Sequence, residues 1–108
     1  MPRSPKTGRC ELCARATHLS FHHLIPKKVH RRARFRKRYD RAELAEGILI
    51  CHLCHRGIHR LCDEMTLGSR LNTLDALLEE PSISRHIAWV RKQRTPKLET
   101  RSGLAQQL

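Results

Sequence analysis

Two Cys-x-x-Cys pairs, Cys10/Cys13 and Cys51/Cys54, constrain this 108-residue chain more than any other feature. Four thiolates at those spacings make a closed tetrahedral site of the kind zinc prefers for structure. The two knuckles lie far apart in the chain, so folding must bring them together around an insertion. The composition calls for such a staple: hydrophobic residues make up 39% and aromatic residues only 4%, thin for a self-sufficient core. Disulfides would need an oxidising compartment. Residues 1–5, Met1-Pro2-Arg3-Ser4-Pro5, contain no apolar signal-peptide core, so a reduced, cytoplasmic chain is expected, with zinc rather than disulfides. No run approaches the ~18 apolar residues of a membrane span, and no membrane partner is expected.

The net charge of +12 draws polyanions, of which nucleic acid is the commonest inside cells. The charge is clustered. Between residues 27 and 41 stand Lys27, Lys28, Arg31, Arg32, Arg34, Arg36, Lys37, Arg38 and Arg41 against a single acid, Asp40. That density suits contact with a phosphate backbone, which gives affinity and salt dependence but no sequence readout. The plainer alternative is a solvated charged face. Phe35 and Tyr39, four apart, could pin this stretch to the body.

Histidines stand at both ends of the insertion. His22-His23 sits in the short apolar run Leu19 to Ile25, stopped by Pro26, which suits a strand. Adjacent strand residues point to opposite faces, so one histidine could ligate a metal while the other faces a substrate; otherwise the pair is solvated at a strand edge. Ile48-Leu49-Ile50 reads as a second short strand entering Cys51, and with the first it suggests a hairpin clipped by zinc. After Cys54 the pattern turns helical. His55 and His59 fall on one face and could grip one ion, unless they are simply solvated.

The remainder reads as helical support. Asn72-Thr73 offers an N-cap for a helix carrying Leu74, Leu77 and Leu78. Ser82 offers a cap for a second helix with an Ile83, Ile87, Val90 stripe and Trp89 packed beside it. Residues 1–9 read as a flexible lead-in, 10–94 as one domain (core 10–62, helical extension 63–94), and 95–108 as a mobile tail. Cys62 is expected half-buried on its helix.

The order CxxC, "HHLIP", basic insertion, "CHLCHRGIH" resembles the HNH endonuclease family over Cys10 to His59. The resemblance implies an α+β fold: a small zinc-stapled ββα-metal (His-Me finger) core, here followed by additional C-terminal helices. It implies a DNA endonuclease, with RNA as a second candidate substrate. His22, His55 and His59 would hold a catalytic divalent metal, and His23 would be the general base. The family's metal is Mg²⁺-like, but an all-histidine set also favours Mn²⁺, Co²⁺, Ni²⁺ or Zn²⁺. A neutral imidazole can accept the proton of an attacking water near pH 7. Arg56, beside the site, could touch the scissile phosphate or lie at the surface. The pattern departs from the family at one place: Glu46 stands where an asparagine is usual, and could orient His23 by accepting from its Nδ1–H or simply be exposed. The rival reading is a zinc-stapled nucleic-acid-binding module without catalysis, which leaves the four histidines unexplained. The residues are silent on monomer against homodimer.

Overall fold

The computed structural model describes residues 6–95. Residues 1–5 of the expected lead-in and 96–108 of the expected tail lie outside them. Three antiparallel strands, β1 (Lys6–Arg9), β2 (Ala16–His23) and β3 (Gly47–Cys51), form one sheet in the order β1-β2-β3. The hairpin expected between the two apolar runs is present, with Leu19 opposite Cys51 and His23 opposite Gly47. Lys6–Arg9, expected within a flexible lead-in, instead pairs with β2 from Lys6 opposite Leu19 to Arg9 opposite Ala16. The local sequence is polar and gives no alternation, so the strand owes its existence to the neighbouring ladder and to the knuckle that follows it.

The insertion leaves the sheet after β2 and returns at β3. It contains a 3-10 turn at Lys27–Val29 and two short helices, α1 (Ala33–Arg38) and α2 (Arg41–Leu44). Asp40 and Glu43 form a reciprocal capping box at the start of α2, which satisfies two of the N–H groups a helix start leaves free. Phe35 pins the stretch as anticipated: it is buried with Ile25 and Val29, and Tyr39 packs against them. This small cluster is separate from the main core.

Four further helices follow among the described residues: α3 (His52–Leu61), α4 (Glu64–Arg70), α5 (Leu74–Glu79) and α6 (Pro81–Arg91). Among the described residues, no helix is long and apolar enough to cross a membrane. Thr73 caps α5, its side chain accepting from the Ala76 N–H. Ser82 does not cap α6. Pro81 occupies the first helical position, where its missing N–H costs nothing, and the Ser82 hydroxyl donates to Glu80 instead. The helices after residue 63 are no appendage, because Leu67, Leu77, Ile83 and Val90 share one buried cluster with Ile50, Ile58 and the knuckle cysteines.

Two close approaches set the helix positions. Gly68 of α4 faces Val29 and Phe35, which seats the insertion on the body, and Asn72 donates to the Tyr39 hydroxyl at 3.1 Å. Gly57 of α3 lies under the ring of His86 on α6, where a Cβ would collide with it. The His86 Nε2–H donates to the Leu53 carbonyl at 2.9 Å, locking the ring in that seam. Trp89, expected beside the apolar stripe, is 51% exposed. It lies about 100° around the helix from Val90, off the stripe, and stacks on His86 instead.

Gly57→Ala should therefore cost about 1–3 kcal/mol by overpacking the seam, read from urea denaturation. Adding His86→Ala should return part of that loss, the non-additivity expected of neighbouring residues.

Candidate metal centres and the histidine cleft

The first knuckle is the turn between β1 and β2. Ala14 takes a left-handed conformation (φ 69°) while its N–H donates to the Cys10 carbonyl at 2.9 Å, folding the loop so that Cys10 and Cys13 face inward. The second knuckle is the junction of β3 with α3. Cys51 caps the helix, its sulfur accepting from the Cys54 N–H at 3.5 Å. All four cysteines are buried, and their sulfurs lie within 4.8 Å of one another. Cys13 and Cys51 are 3.7 Å apart, close to the ~3.8 Å edge of a tetrahedron with Zn–S bonds of about 2.3 Å. The expected four-cysteine cluster is present and could hold a structural zinc.

The surroundings favour thiolate. The N–H groups of Leu12 and Cys13 donate to the Cys10 sulfur at 3.4 and 3.3 Å. The Arg15 guanidinium donates to the Cys51 sulfur at 3.3 Å. Hydrogen bonds from Cys10 and Cys54, followed by the one from Arg15, hold the Cys51 thiol far below its ordinary range. Its neighbours move the other way: Cys10 is raised chiefly by its bond to Cys51, and Cys54 by its bonds to Cys10 and Cys51 and by burial. Ionisation of Cys51 is thus opposed by ionisation of Cys10 and Cys54 beside it. A divalent cation is what lets all four ionise together.

Arg15 and Arg91 tie this centre to the end of α6. Arg15 Nη1 donates to the carbonyls of Gln93 and Arg94, each at 3.2 Å. Arg91 donates to the carbonyls of Cys13 and Leu12 at 3.4 and 3.5 Å.

A second cluster begins one residue after the knuckle, with His55 of α3. The ring nitrogens of His22, His55 and His59 come within 4.8 Å of one another, with ring centroids 5.0–5.3 Å apart. Period-two alternation puts Ser20 and His22 on the sheet face that meets α3, and the 3.6-residue repeat puts His55 and His59 on the helix face that meets the sheet. His22 is 1% exposed, and neither of its ring nitrogens has a hydrogen-bond partner. Leaving such a group unsatisfied costs about 1–3 kcal/mol, so the geometry asks for a ligand. Burial first, then the neighbouring His55, His59 and His23, lower its pKa to about 3. Its imidazole is therefore neutral, the form that binds metal.

His55 is oriented for the same purpose. The Ser20 hydroxyl donates to the Ile50 carbonyl at 3.5 Å and accepts from His55 Nδ1–H at 2.9 Å, which leaves the Nε2 lone pair free. Such outer partners fix the tautomer of ligating histidines. Sequence reading passed over Ser20, although its position two residues before His22 on one strand marks it as sharing that face.

His23 points to the opposite face of β2, as adjacent strand residues must, yet it reaches the same cleft at the strand end. This cleft of about 240 Å³ is lined by Phe21, His22 and His23, by Pro26, Lys27 and Lys28, and by His55, His59 and Glu64. The His23 ring meets the edge of Phe21 at 4.9 Å and His30 at 5.8 Å. His30 is held in turn by a 2.6 Å bond from its Nε2–H to the Ile25 carbonyl. Phe21 lies across Gly47, where any Cβ would strike its ring. Burial, then His30 and Lys27, hold the His23 imidazole below its ordinary pKa. Phe21 and Glu64 are additions to the sequence reading, and His30, which by sequence could contact phosphate, packs on His23. Only the fold brings Glu64 of α4 here, where it pairs with Lys28 at 3.9 Å.

Two expected site residues lie elsewhere. The Glu46 side chain is exposed and forms no hydrogen bond with His23. The register sets Gly47 opposite His23, so Glu46 falls one position past it, on the alternate side. Its contribution is a backbone one, its carbonyl accepting from the Leu24 N–H at 3.1 Å. Arg56 is exposed and contacts His52 one turn back at 3.4 Å, turned about 100° from His55 and away from the cleft lining. Among the insertion cations, Lys27 and Lys28 line the cleft. Arg34 and Arg38 lie over Phe35 and Tyr39, and Arg31, Arg32, Arg36 and Lys37 are exposed.

Fold and centres together define a small α+β protein with a three-stranded antiparallel sheet, six helices and a four-cysteine cluster suited to zinc. It is 34% identical over 92 residues to the uncharacterized protein YisB of Bacillus subtilis (strain 168), covering 84% of this chain and 81% of that protein. The chain belongs to the YisB family. No family model matches it, and no solved structure does.

Metal analysis of the purified chain should find about one tightly held zinc, lost in Cys54→Ser. Arg15→Ala should keep the zinc but weaken its retention against a competing chelator by roughly tenfold, the usual scale for an outer partner of a metal ligand.

Proposed function

We propose that the protein is a metal-dependent HNH-type endonuclease that hydrolyses DNA phosphodiester bonds in the cleft between β2 and α3, and that its hairpin and α3 form a ββα-metal core. The observation that carries this reading is the buried, unpartnered His22 ring facing His55 and His59, with a neutral, half-buried His23 beside it in the same cleft. Structural zinc alone gives no account of that second cluster.

A divalent ion held by His22, His55 and His59, whether Mg²⁺ or one of the softer Mn²⁺, Co²⁺, Ni²⁺ and Zn²⁺, would supply positive charge for the leaving O3′. The chain's own residues do the rest. His23 accepts the proton of the attacking water as the water oxygen bonds to phosphorus and the O3′ bond breaks. Its lowered pKa keeps it unprotonated at neutral pH. With Glu46 turned away, the ring is steadied by packing between Phe21 and His30. Lys27 and Lys28 meet the phosphates at the cleft, and the exposed arginines beyond them extend that contact along the backbone.

With zinc retained and added divalent metal varied, plasmid DNA should be cleaved by wild type, while His23→Ala should lose 10²–10⁴-fold and still bind DNA. Unchanged cleavage by His23→Ala would remove it as the base. Binding without cleavage under every divalent metal would favour the non-catalytic module. Because the neutral form of His23 is the active one, the rate should be level at neutral pH and fall as the medium is acidified, with its inflection below histidine's ordinary ~6.5.

Duplex binding should weaken with salt, and replacing Arg31 and Arg32 together by alanine should lower the slope of log K against log salt by about 2, near 0.9 for each phosphate no longer neutralised. An unchanged slope would take the insertion off the DNA.

A further inference from the structure

We infer that α6 carries a separate stacking platform for single-stranded nucleic acid, built on Trp89 and lying on the far side of α3 from the histidine cleft. Leu53 and Gly57 of α3 face α6 through His86. Two residues of helix turn the chain by about 200°, so the Gly57 side of α3 is nearly opposite the His55 side. A strand on α6 would therefore not occupy the cleft described above.

Trp89 is the chain's one tryptophan, and a tryptophan 51% exposed leaves much apolar surface in water without a partner. It is nevertheless held firmly. Its ring stacks on His86 with centroids 5.6 Å apart and planes 30° from parallel. His86 is fixed by its bond to the Leu53 carbonyl and by its wedge against Gly57. One face of the indole is thus supported while half of the residue stays open to solvent, which lowers the entropy lost on binding.

The surroundings choose the occupant. Arg85, Trp89 and Lys92 recur at i, i+4 and i+7 and form one exposed stripe. They place a cation about one turn to either side of the ring. Residues 81–95 contain no acid, and among the described residues the single salt bridge is Lys28 with Glu64. A protein partner seeking a tryptophan anchor would meet almost no apolar rim here, since the residue beside Trp89 on this face is only Ala88. A flat aromatic face flanked by unpaired cations matches a base with phosphates on either side. A duplex keeps its base faces inside the stack and cannot use the ring in that way, so the platform selects single strands. Stacking is tolerant of sequence, in keeping with the lack of a base-reading set of side chains on this helix.

Because Trp89 is the sole tryptophan, its emission reports the site directly. The full chain with zinc bound, in a His23→Ala background and without added divalent metal, is titrated with an oligothymidylate and with a blunt duplex of mixed sequence. The expected result is saturable quenching by the single strand and little change with the duplex. By anisotropy of a dye-labelled oligonucleotide, a readout that survives loss of the tryptophan, Trp89→Leu should weaken single-strand binding by about tenfold or more and leave duplex binding unchanged, while Trp89→Phe should recover part of the loss. Arg85→Ala with Lys92→Ala should lower the single-strand salt slope by about 1.4, near 0.7 per phosphate. Emission unaffected by a saturating single strand overturns the proposal, and that measurement needs no substitution at the platform. Equal affinity in Trp89→Leu also overturns it, as does quenching that follows protein concentration without oligonucleotide, which would mark a contact between copies. The test does not depend on cleavage, so failure of the nuclease reading and failure of the platform are told apart.

Discussion

The mutual proximity of four buried thiols is the constraint on which the rest of the structure hangs. Sulfurs this close resist ionising together, and the backbone N–H groups and Arg15 around them relieve only part of that repulsion. A cation held at their centre would turn that repulsion into an anchor. From it run the β1–β2 turn, the end of β3, the first turn of α3 and, through Arg15 and Arg91, the end of α6. In a chain with so few aromatic residues, such an anchor would do what a larger apolar core does elsewhere.

The same anchor decides where the histidines meet. Cys51 and Cys54 fix the start and rotation of α3, and His55 follows Cys54 directly, so its direction is inherited from the knuckle. The β2–β3 ladder then carries His22 to it. The two clusters are therefore not independent features: the geometry of the second is a consequence of the first, read through one helical turn and one strand pairing.

The parts legible in the sequence were those governed by short-range periodicity. The CxxC pairs, the opposite facing of His22 and His23, the helical spacing of His55 and His59, and the Phe35 pin all rest on repeats of two or 3.6 residues, or on spacings between neighbours. What was not legible depended on register and on partners distant in the chain. Lys6–Arg9 has no strand pattern of its own and becomes a strand by pairing. Glu46 occupied a promising place by count, but a shift of one position across the ladder sets Gly47 opposite His23. Trp89 looked like core because tryptophan usually is. Its angle around α6, and the demand of Gly57 for His86 in the seam, leave it outside.

The hydrogen bond from Leu24 to Glu46 closes the basic insertion at its neck, just beyond the last ladder pair of the hairpin. Everything between those two residues is a loop whose ends are already joined by the sheet, with its own small apolar cluster. The entropy of such a closed loop grows only logarithmically with length, about 0.6 kcal/mol for each doubling. Closure at the neck thus holds the base of the insertion, with Lys27, Lys28 and His30, over the histidine cleft, while its outer arginines are free of that demand.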